Sequence, residues 1–130
     1  MYALNLNNFL VCTGDVHIGG VTRLNLDPED FASPVVAYEF VTPSVTSSAR
    51  ELEENGPLVE YALSARENVE YIHATKRGYI LLDITPDQID VSFRMVESVE
   101  NPDIEVMTEA SFQVVHEGFT LTKTYDRREE

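Results

Sequence analysis

The sequence predicts a strand-rich α+β domain with mixed and antiparallel strands. From Val69 onward the apolar residues keep a period of two almost to the end, while only one stretch, around residues 48–65, keeps a helical period. The apolar runs before Ser48 are short and close on Gly, Pro or Asp-Pro, as strands do. A length of 130 residues suits one domain and is enough to bury a core.

Phe9-Leu10-Val11-Cys12-Thr13 is a continuous apolar run closed by Gly14, which suits a strand covered on both faces in the middle of a layered sheet. Val21 to Leu26 gives a second, partly polar strand stopped by Asp27-Pro28, and Val35 to Val41 a third stopped at Pro43. Ser48-Ala49-Arg50-Glu51 has the form of a helix capping box. Asn55-Gly56 is expected to end or interrupt that helix, with Pro57 opening another. Leu58, Tyr61, Ala62 and Ala65 then share one helical face opposite Glu60, Ser64 and Glu67, the pattern of a surface helix with an apolar stripe.

Val69 to Thr75 and Tyr79 to Ile84 follow as strands, separated by Lys76-Arg77-Gly78. Thr85-Pro86-Asp87-Gln88 has turn chemistry. Ile89, Val91, Phe93 and Met95 alternate with Asp90, Ser92 and Arg94, which predicts one wet face and an antiparallel partner in Tyr79–Ile84. Asn101-Pro102-Asp103 makes a loop, Ala110, Phe112 and Val114 alternate with Ser111 and Gln113, and Glu117-Gly118 turns into Phe119–Thr124. Residues 1–125 read as one unit, and the acidic tail Asp126–Glu130 is expected to fray.

Nine Lys+Arg stand against 23 Asp+Glu, a net charge of −14. Nucleic-acid affinity comes mainly from cations neutralising phosphates, so a nucleic-acid partner is disfavoured, as is an anionic membrane surface. No apolar run reaches the roughly 20 residues of a membrane span. Hydrophobic residues make up 43%, which argues against disorder. Self-repulsion on so acidic a surface is relieved by salt, and few lysines beside many glutamates suit a high-salt milieu as well as an ordinary acidic protein. The single cysteine, Cys12, excludes an internal disulfide and a cysteine-based structural zinc site, and is read as a small buried hydrophobe.

Thr13-Gly14-Asp15-Val16-His17 stands apart. The apolar strand ends, a glycine permits a turn, and a carboxylate and an imidazole follow two places apart. In extended backbone, residues i and i+2 project to one side, here at the carboxyl end of a strand where layered folds place ligands. Oxygen and nitrogen donors together suit Fe, Mn or Zn, and the carboxylate suits Ca or Mg. The tripeptide alone is also compatible with a turn-capping aspartate and a histidine bonded to backbone.

The segment Phe9 to His17 resembles the TGDVH stretch of PhoD-like alkaline phosphatases, and the likeness continues in order. It runs through Glu39-Phe40-Val41-Thr42-Pro43-Ser44-Val45-Thr46-Ser47, Asn68-Val69-Glu70-Tyr71, Lys76 to Pro86, and Ala110-Ser111-Phe112. The resemblance covers nearly all of the chain but only the carboxyl-terminal portion of that catalytic domain. It implies a metallophosphoesterase-type β-sandwich flanked by helices, with Asp15 and His17 as metal ligands at an iron–calcium centre and Gly14 shaping the turn. It further implies hydrolysis of phosphate mono- and diesters by a metal-bound hydroxide, remaining ligands on an upstream half, and export by a signal outside these residues. Other divalent metals fit the same donors. The chain by itself is then expected to be inactive, the upstream half and a phosphate ester being its partners.

Ser44 and Thr46 lie close to the implied site; no nucleophile elbow surrounds them, and with Ser47 they read as turn and cap residues. His73 and His116 read as strand or turn histidines with local hydrogen bonds rather than ligands. Lys76 and Arg77, the strongest local positive pair, read as a solvated loop pair, with contact to phosphate as the alternative. Glu51, Glu53 and Glu54 suit a solvated helix start. A second class of function stays open: a non-catalytic acidic β-rich module that only packs against a partner. A calcium-binding surface lacks any D-x-[DN]-x-[DN]-G pattern.

Overall fold

The computed structural model describes residues 8–47 and 50–130, with Arg50, Glu51 and Glu53 described by backbone alone. The elements run β1 (Phe9–Thr13), β2 (Gly19–Asp27), β3 (Asp30–Val41), α1 (Arg50–Ser64), β4 (Val69–His73), β5 (Arg77–Ile84), β6 (Gln88–Val96), β7 (Met107–Val115) and β8 (Thr120–Asp126). A 3₁₀ turn, Arg127–Glu129, closes the chain. One four-stranded sheet has the order β1-β3-β2-β4 and is mixed, since β1 runs parallel to β3. The second, β5-β6-β7-β8, is antiparallel throughout.

The period-two pattern sets the core between them. Val91, Phe93 and Met95 of β6 are fully buried, while Asp90, Ser92 and Arg94 alternate outward. Ala110, Phe112 and Val114 of β7 join them from the same sheet, and Val21, Tyr38, Phe40 and Tyr71 face them from the other. The Tyr71 ring lies 5.0 Å from Phe93 and 5.6 Å from Phe112, so aromatic contacts tie the two layers. The β2–β3 hairpin turns at Pro28-Glu29, where the Glu29 amide donates to the Asp27 carboxylate. A register shift at Asn25 is held by its side-chain amide donating to the Phe31 and Ser33 carbonyls.

Several expectations change. The architecture is a strand-rich pair of sheets with one α-helix among the described residues, so the α+β label and the flanking helices do not hold for them. The Phe9–Thr13 run forms an edge strand of half-buried residues rather than a covered central one, and Cys12 on it is exposed, not buried. Helix α1 continues through Asn55-Gly56 and Pro57. Gly56 serves close packing instead of termination: a Cβ there would lie 2.6 Å from Thr75 Cγ2. That contact turns the helix so that Glu60 faces the sheets and the apolar stripe faces out, leaving Leu58 67% and Tyr61 75% exposed. The capping box at Ser48–Glu51 lies outside the described residues.

The tail also docks rather than frays. Asp126 is buried and caps the 3₁₀ turn, and Arg128 donates to both its carboxylate oxygens and to the Ile72 carbonyl while lying 4.8 Å over the Tyr71 ring.

Candidate metal-binding bend

Strand β1 ends where Thr13 is pinned to β3 twice. Its carbonyl accepts from the Thr42 amide at 2.9 Å and its hydroxyl donates to Glu39 Oε1 at 2.8 Å. Gly14 then passes against Thr42, where a Cβ would sit 3.2 Å from Cγ2, a tight approach that glycine removes. Asp15 (φ 76°) and His17 (φ 60°) both adopt left-handed backbone, so the extended geometry expected for the pair is replaced by a sharp bend. The chain re-enters the sandwich at Gly19, whose missing Cβ leaves room for Met95 Cε (2.7 Å from the ideal position). Two left-handed residues on a five-residue connection are a local strain.

Within the bend Asp15 is exposed, Val16 is 56% exposed, and His17 is half-buried. The Nδ1 of His17 is shut off from solvent and has no hydrogen-bond partner. A buried nitrogen without a partner is costly and suits a ligand role. The donor set therefore fits a cation in type, one carboxylate and one imidazole, and is incomplete in number: no group of three His, Cys, Asp or Glu is assembled among the described residues.

The contacts of the other singled-out residues lie away from the bend's donors. The Ser44 hydroxyl donates to the Ser47 carbonyl at 2.7 Å and the Ser44 carbonyl accepts from the Gly78 amide at 2.9 Å; Thr46 is exposed. His116 pairs with Asn8 through its Nδ1 at 3.2 Å. Lys76 and Arg77 are not a solvated pair. Lys76 donates to Glu97 at 2.6 Å and to the buried Glu109 at 2.8 Å, and although burial opposes its charge, these carboxylates raise its pKa. Arg77 is buried and donates to the Ser47 and Thr75 carbonyls. His73 is 6% exposed and lies between Glu60 and Glu109. Sequence reasoning missed Glu109, which is only 2% exposed; its place beside Ala110 at the start of an alternating strand gave no sign that the sheets would enclose it.

The two sheets form a strand-rich domain, and a family model described as PhoD-like phosphatase matches residues 1–93. The chain belongs to the PhoD-like phosphatase family, as its ordered motifs imply. Alkaline phosphatase D of Bacillus subtilis (strain 168) is 32% identical over 108 residues, 83% of this chain and 18% of that protein. A solved structure described as that of PhoD superposes with a TM-score of 0.75 at 25% identity, over 96% of this chain and 24% of the other. The chain thus spans about a fifth to a quarter of the length of the relatives it matches. Among the described residues no helix is long and apolar enough to cross a membrane.

Proposed function

We propose that these residues supply the Gly14–His17 part of the metal centre of a phosphatase that hydrolyses phosphate mono- or diesters, with Asp15 and His17 as ligands. The observation that carries this reading is the family match across a bend whose imidazole nitrogen is buried without a partner. Iron and calcium are the metals the family resemblance names, and carboxylate and imidazole accept both as well as other divalent ions. A bound cation supplies polarisation of the phosphoryl oxygens and a lowered pKa for water.

The chain's own residues prepare that place. Thr13 and Glu39 fix the strand end, Gly14 brings the bend against Thr42, and the left-handed Asp15 and His17 redirect the chain before β2. With a net charge of −14 the protein repels anionic esters, so local positive charge has to reverse that field. The remaining ligands come from outside these 130 residues, and the chain alone is expected to turn over no ester. In the same reading the assembled enzyme works outside the cytoplasm.

Mn²⁺ titration of the isotopically labelled chain tests the ligand assignment. Paramagnetic broadening should centre on Asp15 and His17 and vanish in His17→Ala. Broadening spread over the acidic surface, unchanged by His17→Ala, would remove the pair from the site. A second reading, an acidic module without catalysis, is favoured by there being only two such donors in the bend. Hydrolysis of a chromogenic phosphodiester by the protein joined to the rest of its domain, lost on His17→Ala, decides against it.

A further inference from the structure

Among the described side chains of this acidic chain, one cation has no partner. Among the described side chains, Arg23, Lys76, Arg77, Arg94, Lys123, Arg127 and Arg128 each donate to a carboxylate, hydroxyl or carbonyl. Arg66 makes no such contact through its guanidinium, although its backbone is fixed on both sides. Its amide donates to the Leu63 carbonyl and its carbonyl accepts from the Val69 amide, both at 3.1 Å. The backbone that carries this exposed side chain is therefore fixed, and its charge is not spent on a partner among the described residues.

That place is the rim of a groove of about 320 Å³ beside the bend. Val16 and Ile18, which flank His17, form one wall. Val41, Leu63, Val69 and Ile72 supply most of the rest, so the interior is mainly apolar. Glu39 is the one carboxylate among the lining residues, and it accepts from Thr13. An anion in this groove is repelled by Glu39 and drawn to Arg66, whose planar fork matches two phosphoryl oxygens. The apolar walls then favour an organic group that is itself apolar.

We propose that Arg66 and this groove bind the phosphoryl group and apolar alcohol portion of aryl or alkyl phosphate esters, with Arg66 as a specificity-determining residue. This rests on the phosphatase reading above for its catalytic meaning, but the binding itself needs only residues of this chain. Neutral alcohols lack the partner for Arg66, and inorganic phosphate leaves the walls uncovered, so each alone binds more weakly than the ester that joins them.

Fluorescence anisotropy of 1-naphthyl phosphate with the full chain, in chelator so that no metal contributes, reads this directly. The ester should bind about tenfold tighter than 1-naphthol or inorganic phosphate, a difference of the size one charge-assisted contact gives. Arg66→Ala should bring the ester to the level of naphthol, and Arg66→Lys should keep part of the gain. Val16→Asp, at an exposed wall position, should weaken the ester by a similar factor without disturbing the fold. Equal affinity in wild type and Arg66→Ala, or no saturable binding to the wild type, would overturn the proposal. Failure of the Mn²⁺ experiment removes the catalytic reading and leaves this assay untouched, whereas a flat anisotropy titration removes the groove and leaves the metal result standing.

Discussion

The imidazole of His73 lies between two carboxylates on different elements. Its Nδ1 lies 3.3 Å from Glu60 Oε1 of helix α1 and its Nε2 3.9 Å from Glu109 Oε2 of strand β7. Glu60 also accepts from the buried Ala74 amide at 2.6 Å, and Glu109 accepts from Lys76 at 2.8 Å. The hydrogen bond from the Ala74 amide to Glu60 therefore ties the helix to the end of β4 where apolar packing is thin, since the apolar stripe of α1 points away. Burial lowers the His73 pKa below 6.5, with Arg128 and Lys76 acting in the same direction and Glu60 and Glu109 against it.

The sign of the pH effect follows. The native state resists a proton that the unfolded chain accepts readily, so the stability tied to His73 is complete above pH 6.5. It is lost as pH falls from there through the lower native value. Denaturant midpoints measured at about pH 7.5 and about pH 5 should move further for the wild type than for His73→Gln. Equal movement in the two proteins would show that other groups carry the dependence. Glu60→Ala should cost about 1–2 kcal/mol at neutral pH, because it strands the buried Ala74 donor.

Gly78 admits no side chain. A Cβ built there would stand 2.0 Å from the Arg94 carbonyl oxygen and 2.8 Å from Met95 Cα, both backbone atoms of the paired strand. Gly78→Ala therefore has to displace β5 from β6 and should cost about 3 kcal/mol. Gly118→Ala is the control: its φ of 78° is strained for alanine, but the nearest atom is a hydroxyl at 3.5 Å, and a cost of about 1 kcal/mol is expected. Chemical denaturation ranks the two, and an equal or reversed ranking would contradict the clash.

The terminal turn is a clasp that truncation should expose. Burial alone would raise the Asp126 pKa, yet hydrogen bonds and charge from Arg128 outweigh it and hold the carboxyl below its ordinary value. The stability from this pair is present above pH 3.8 and lost as pH falls through the lower native value. Because the Arg128 side chain is 43% exposed, solvent screens part of the pairing. Arg128→Ala, which also removes the contact over Tyr71, should cost about 1–2 kcal/mol. A thermal melt of Arg128→Ala that matches the wild type would return 126–130 to the status of a loose end.

What was legible in the sequence was whatever a local pattern determines. Ile89 to Met95 fixed its own buried face and its antiparallel partner because period two leaves no other arrangement with a dry side. Thr13 to His17 was legible as a site because of its residue types. The bend itself was not legible, since left-handed φ at Asp15 and His17 lies between a contact with Thr42 and a re-entry at Gly19 against Met95, both made with distant parts of the chain. The orientation of α1 was misread because Leu58 and Tyr61 are apolar, whereas a long-range fit of Gly56 onto Thr75 decides which face turns in. The unpaired Arg66 could not be seen at all, because it is defined by partners that other cations have and it lacks.

The strain at Asp15 separates fold from function in one substitution. Left-handed backbone costs an ordinary residue roughly 1–2 kcal/mol, with aspartate toward the low end, and glycine avoids that cost. Glycine also adds freedom to the unfolded chain, a loss of about 0.5–1 kcal/mol. The two terms nearly offset, so Asp15→Gly should leave stability within about 0.5 kcal/mol of the wild type. Val16→Gly, whose backbone is not left-handed, gains no such relief and should lose about 0.5–1 kcal/mol. If the Asp15 carboxylate is there to hold a cation, Asp15→Gly should nonetheless abolish the Mn²⁺ broadening that Val16→Gly retains. A fall in stability of more than about 2 kcal/mol for Asp15→Gly would show that the carboxylate holds the bend itself, and the strain would then have a structural cause rather than a ligand-binding one.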